Sequence, residues 1–143
     1  MDENRNAPLI VLSKDEILGL AATARRCAEN GRLEEALSIL NGLIAADPRN
    51  AYLHTCVGCV LMQLDRTAEA REAFDKALGL DPRDVAALTY AGELAFEAQE
   101  LPLALERLGA AIALDPEGRN PYANRARTLH HEAAQKASTP ARG

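Results

Sequence analysis

Apolar and small residues recur along this chain at helical spacing, and the pattern itself recurs at a fixed step. Between Asn50 and Pro82, His54, Val57, Gly58 and Leu61 fall on one helical face. A break at Asp65–Arg66–Thr67 separates them from a second face of Ala70, Phe74 and Ala77, which ends at Asp81–Pro82. A step of 34 residues carries this unit onto its neighbours: Asp47–Pro48, Asp81–Pro82 and Asp115–Pro116 align. So do Ala36, Ala70 and Ala104, and Leu40, Phe74 and Leu108. Self-similarity at this period marks stacked supersecondary units that share a continuous core.

The predicted elements follow from caps and breakers. Ser13-Lys14-Asp15-Glu16 reads as a capping box, with Leu12 and Ile17 placed for a hydrophobic staple across it. The first helix is expected over about 14–29 and closes at Asn30–Gly31. Further helices are expected near 33–46, 51–64, 68–80 and 85–98, with Asn50 and Asp84 as N-caps. Pro102 falls in the first turn of the sixth helix, where its missing N–H is tolerated, and a last helix is expected over 120–136. Segments 1–13 and 137–143 are expected to be flexible.

The positions so aligned resemble the tetratricopeptide repeat (TPR) family over Ile17–Gly118, in units of about 17–50, 51–84 and 85–118. The resemblance implies an all-α fold, an α-solenoid of helix–turn–helix units in a right-handed superhelix, spanning 14–136. It also gives each position a physical reason. Ala24, Gly58 and Gly92 would sit where the first helix of a unit crosses the second, and Leu40, Phe74 and Leu108 would fill the space towards the next unit. The chain departs from the family pattern in two respects. The aromatic expected early in each first helix is Leu20, His54 and Leu88, and the glycine between paired helices is present only as Gly31.

Composition narrows the function classes. A chain of 143 residues suits one domain of three or four units. The net charge of −5 argues against indiscriminate nucleic-acid binding. No apolar run approaches the roughly 20 residues that span a bilayer, so membrane insertion is not expected. Three cysteines imply no disulfide framework, and a reducing cytoplasm is the simplest setting. Charge is uneven: residues 85–118 carry −5 and residues 119–143 carry +4. That asymmetry reads either as solvated faces with complementary helix ends or as a polarised surface that orients a partner.

Little in the sequence points to chemistry. Cys56-Val57-Gly58-Cys59, with Cys27 and a histidine, is the one pattern that could hold zinc or a redox pair, but it lacks a second ligand pair and lies inside a helix. Packing or groove lining is the expected role of these thiols. His54 reads as a satisfied core histidine. With no nucleophile–base grouping or phosphate-cradling glycine loop, neither an enzyme nor a bound metal or cofactor is expected.

A TPR stack presents the inner face of its first helices as a concave groove. The resemblance therefore assigns a partner-binding role to Arg25 in the first unit, Tyr52, Cys56, Cys59 and Met62 in the second, and Tyr90, Glu93 and Phe96 in the third. From the last helix it adds Arg127, with Asn120, Ala123 and Asn124 as further inner positions. One TPR subgroup grips a C-terminal carboxylate with Lys, Asn and Arg. The matching positions here are Ala21, Arg25, Cys56, Ala86 and Tyr90, so that clamp is absent.

More narrowly, the leading capped helix, three repeats, acidity and the run Tyr90-Ala-Gly-Glu-Leu94 are similar to the small TPR chaperones of type III secretion translocators. That resemblance implies a groove that shields an extended segment of an aggregation-prone client. Tyr52, Tyr90 and Phe96 would bind it, Met62 would adapt to it, and Arg25, Glu93 and Arg127 would set its direction. The expected function is thus protein or peptide binding, with a homodimer as one possible state. The alternative is a TPR scaffold that assembles a complex by self-association.

Overall fold

The computed structural model describes residues 11–139, which form seven helices in chain order. These are α1 (Lys14–Glu29), α2 (Leu33–Ala46), α3 (Ala51–Gln63), α4 (Thr67–Leu80), α5 (Val85–Glu97), α6 (Leu101–Ala113) and α7 (Pro121–Ser138). Side-chain caps set the starts of three of them, α1, α5 and α7. Ser13 Oγ accepts from the Glu16 amide at 3.1 Å while Glu16 accepts from the Ser13 amide at 3.2 Å, closing the capping box. Asp84 accepts from the Ala87 amide at 3.1 Å, and Asn120 accepts from Tyr122 and Ala123. Asn50 departs from expectation: it stands at the N-cap position but makes no side-chain cap bond, because its amide donates to Asp47 at 3.1 Å instead. Beneath it, His54 is buried with Nε2 at 3.0 Å from the Pro48 carbonyl oxygen.

The turn inside each unit is built alike without the same residue. Gly31, Asp65 and Gln99 step by the repeat and all adopt the left-handed conformation, with φ of 81°, 58° and 65°. Only glycine does so without steric penalty, so the backbone geometry of the turn is kept where its usual residue is lost. A tight turn here returns the chain antiparallel and lets α1 lie on α2, α3 on α4, and α5 on α6.

Beyond neighbours in sequence, α1 meets α3, α3 meets α5 and α5 meets α7, whereas α2, α4 and α6 do not approach one another. The odd-numbered helices thus form a closed inner layer and the even ones an outer layer that splays apart. That is a one-dimensional array in which each unit is stabilised by its neighbours. Its core runs along the crossings. Leu40, Phe74 and Leu108 are essentially fully buried, each worth about 1.5–3 kcal/mol of apolar burial. Phe74 lies so close over Gly58 that a β-carbon there would fall 2.5 Å from the ring, and one on Gly92 would fall 2.6 Å from Leu108. In the first unit the equivalent positions hold Ala24 and Leu40, both essentially fully buried.

The last helix is tied down by charge as well as packing. Arg125 pairs with Glu93, Arg127 pairs with Asp115 at 3.3 Å and also donates to the Asp115 carbonyl oxygen, and Lys136 lies 5.3 Å from the centre of the Phe96 ring. Arg119 precedes α7 and pairs with Glu117 at 3.0 Å, and Arg71 of the second unit pairs with Glu100. The acidic third unit and basic C-terminal region therefore answer each other, which is the complementary reading of the charge pattern. α1 begins at Lys14 as expected, with Leu12 packed on the core ahead of it, and α7 continues past the expected limit of Lys136 to Ser138. The remaining parts of the expected flexible ends, 1–10 and 140–143, lie outside the described residues.

Two stability predictions follow from the crossings and turns. Gly58→Ala lowers stability by about 1–3 kcal/mol through overpacking, although alanine is the better helix former. Combined with Phe74→Leu, which recreates the Ala24/Leu40 pairing, it loses less than the sum of the single losses in a urea-unfolding double-mutant cycle. Gln99→Gly raises stability by about 0.5–1 kcal/mol, seen as a higher urea midpoint, because it relieves a left-handed L-residue.

Candidate functional site

The inner layer holds a cavity of about 410 Å³ between the first helices of the three units and α7. Its wall takes Ala21, Arg25, Ala28 and Glu29 from α1, Tyr52, Thr55, Cys56, Cys59, Val60 and Gln63 from α3, Ala86 and Tyr90 from α5, and Tyr122 from α7. Leu40 of α2 and the cap residue Asp84 complete it. The wall is cross-tied from helix to helix. Arg25 donates to the Tyr52 hydroxyl at 2.8 Å, linking α1 to α3. Thr55 donates to the Asp84 carboxylate at 2.7 Å, linking α3 to the start of α5. Thr89, one repeat further on, donates to the Tyr122 carbonyl oxygen at 3.1 Å, linking α5 to α7. Both threonines are buried, so the bonds are shielded from competing water.

Aromatic packing continues the line. Tyr90 stacks on Phe74 with centroids 5.4 Å apart and planes 14° from parallel, and meets the edge of Tyr122 at 5.7 Å. Phe74 belongs to the core, so the core supports the cavity wall directly.

The wall is mostly neutral at physiological pH. Burial, followed by the neighbouring Cys56, pushes the Cys59 thiol up to about 12, and burial also raises Cys56. Burial, and then Cys59, holds the Tyr90 hydroxyl well above the ordinary tyrosine value, and burial does the same for Tyr52. Such thiols are protonated and poor nucleophiles. Cys27 lies buried in the core rather than on the wall. Among the described residues no three His, Cys, Asp or Glu side chains come together as metal ligands.

Of the residues singled out from the sequence, Arg25, Tyr52, Cys56, Cys59 and Tyr90 share this cavity. Met62 and Phe96 are half-buried against the core outside it. Glu93 is buried in its ion pair with Arg125, and Arg127 is held by Asp115 and Asn124 at the α6–α7 connection. The α7 positions shift for a definite reason. Asp81 to the cap Asp84 spans three residues, but Asp115 to the cap Asn120 spans five. The step of 34 therefore places the inner face of α7 two residues early, at Asn120, Ala123, Asn124 and Arg127. Counted from its own cap, the inward positions become Tyr122, on the cavity, and Arg125, on Glu93. Pro121 at the start of α7 was the available signal.

Comparison with known proteins places this geometry. The family model described as Tetratricopeptide repeat matches residues 58–119. Among curated proteins, cellulose synthase operon protein C of Pseudomonas fluorescens (strain SBW25) is 28% identical over 109 residues, which cover 76% of this chain. The chain spans only 8% of that protein's length. Among solved structures, the type III secretion translocator chaperone SycD of Yersinia enterocolitica superposes with a TM-score of 0.81 at 17% identity, covering 97% of each chain. PcrH of Pseudomonas aeruginosa, in complex with the chaperone binding region of PopD, gives 0.78 at 19% identity, covering 89% of this chain and 97% of that one. The fold is a TPR α-solenoid.

The raised thiol and phenol values have a consequence for stability. Unfolding restores the Cys59 thiol from about 12 to its ordinary value near 9.0, so above pH 9 the unfolded chain sheds a proton that the folded chain keeps. Folding stability falls as pH rises from 9 towards 12, with Tyr52 and Tyr90 adding to the fall above 10. Urea unfolding measured from pH 7 to 11 shows this decline, and Cys59→Ala makes it shallower.

Proposed function

We propose that this tetratricopeptide-repeat solenoid is a protein-interaction module that captures an extended segment of a partner protein in its inner cavity and has no catalytic role. One observation carries the reading: all three tyrosines of a chain with only two phenylalanines and no tryptophan line this one cavity. Tyrosine offers a large rigid surface with a polar tip at low entropic cost, as binding anchors do. Tyr52 and Tyr122 remain partly exposed at the rim, and the neutral Cys56 and Cys59 form an apolar floor. Arg25 and Asp84 supply polar contacts that set the direction of the bound segment.

Proteins of the same fold are consistent with this use of the groove. PcrH holds the chaperone binding region of PopD, and SycD has been seen with a peptide of the translocator YopD. By analogy the chain would act as a holding chaperone for a secreted client, working in the cytoplasm. No helix among the described residues is long and apolar enough to cross a membrane.

A second reading rests on a separate surface. Val11, Leu18 and Leu20 are 79%, 55% and 41% exposed at the N-terminal edge, beside an open cleft of about 510 Å³ lined by Leu12, Leu20, Ile39 and Leu43. This edge would serve self-association in a scaffold or dimer.

The deciding experiment compares wild type with Tyr52→Ala/Tyr90→Ala after circular dichroism shows both folded. Capture from the native organism's lysate yields one abundant protein on the wild type, reduced on the order of tenfold on the variant. A peptide from that protein raises the wild-type melting temperature. Identical captured sets on both proteins overturn the groove reading. Assembly that grows with concentration and is abolished by Leu18→Asp/Leu20→Asp then supports the scaffold.

A further inference from the structure

We infer that the cavity selects partner segments carrying a basic side chain beside apolar ones, and that Asp84, Tyr90 and Tyr122 form the subsite for that cation. This rests on the groove reading above and adds the charge of the ligand.

Among the described residues the cavity wall carries three full charges. Arg25 and Glu29 lie one turn apart on α1 and act on each other electrostatically, and Arg25 also donates to Tyr52. Those two charges are therefore close to balanced. Asp84, at the N-cap of α5, is the third. Its oxygens accept from the Thr55 hydroxyl at 2.7 Å and the Ala87 amide at 3.1 Å, both neutral donors. Among the described residues no Lys, Arg or His forms an ion pair with it. The dipole of α5 offsets roughly half a charge at its N-terminus, which leaves the carboxylate only partly compensated. Its field reaches the cavity floor: it disfavours the thiolates of Cys56 and Cys59, while Arg25 acts in the opposite sense on Cys56.

The rings of Tyr90 and Tyr122 line the cavity with it, and Tyr90, like Asp84, acts on Cys59. Tyr90 is backed by Phe74 and meets Tyr122 edge-on at 5.7 Å. Faces of neutral aromatic rings attract an ammonium or guanidinium, the more so when desolvated. A lysine or arginine placed here would rest its apolar stem on the rings and bring its charge to Asp84. An acidic segment would meet Asp84 and Glu29, with Arg25 as the one cation on the wall. Charge complementarity thus favours a basic partner segment over an acidic one.

Three end-capped probes test this: acetyl-Ala-Leu-X-Leu-Ala-amide with X as lysine, norleucine or glutamate. The absence of tryptophan, with every tyrosine on the cavity wall, makes intrinsic fluorescence of the whole protein a reporter of this site. Calorimetry gives an independent affinity. The expected order is lysine, then norleucine, then glutamate, with the lysine probe on the order of threefold to tenfold tighter than norleucine. Added salt narrows that gap. Asp84→Asn abolishes it while keeping the melting temperature close to wild type, because Asn caps a helix as well as Asp. Binding of the lysine and norleucine probes with equal affinity, or a preference that survives in Asp84→Asn, overturns the cation subsite and leaves the groove reading standing. Failure of all three probes to bind at millimolar concentration overturns the groove reading and the subsite with it.

Discussion

The close crossing of a small residue on each inner helix with a large one on its outer partner is the contact on which the array depends. Gly58 under Phe74 and Gly92 under Leu108, with buried Ala24 and Leu40 at the equivalent positions, set how near two helices lie. Because interiors are close-packed, widening one crossing would displace the helices stacked on either side. The large member of the second pair has a further task. Phe74 lies on Gly58 with one part of its ring and stacks on Tyr90 of the next unit, so one side chain joins the crossing, the interface between units and the cavity wall. The cavity wall thus inherits its rigidity from the core.

Polar ties extend the same logic along the inner layer. Thr55 and Thr89 occupy equivalent positions and each bonds to the beginning of the next inner helix, one through the Asp84 carboxylate and the other through the Tyr122 carbonyl oxygen. The first unit has Ala21 there, and the tie passes instead to Arg25 and Tyr52. A repeat keeps the requirement that successive inner helices be linked, while the residues that meet it vary. At the far end the requirement is met by ion pairs, and the half-buried pairing of Glu93 with Arg125 gives α7 a defined seat. These bonds preorganise the cavity wall, and on the proposed function a wall already fixed in place would lose less entropy when a partner segment settled on it.

Much of this was legible in the sequence. The step of 34, the Asp-Pro stops and the capping box determined the number of units and nearly every helix boundary, because each depends on interactions within a few residues. Gly58 and Gly92 marked the crossings because only a residue without a β-carbon fits beneath Phe74 or Leu108. Arg25, Tyr52, Cys56, Cys59 and Tyr90 could be placed on a common inner surface because helical phase carries across units of equal length.

Only the tertiary structure decided what happens where that equality fails, and which side chains are engaged by others. Two extra residues before α7 rotate its inner face, bringing Tyr122 to the cavity and leaving Arg127 on the α6–α7 connection. Glu93 has the right phase for the groove, yet it is buried against a cation 32 positions along the chain. Asp65 and Gln99 hold a left-handed turn with no glycine to announce it, since stacking of the paired helices outweighs local preference. Short-range rules made the repeat readable from residue types. The number of residues between elements and the pairing of distant charges are settled only when the helices are packed, because contact free energy depends on where side chains meet in space.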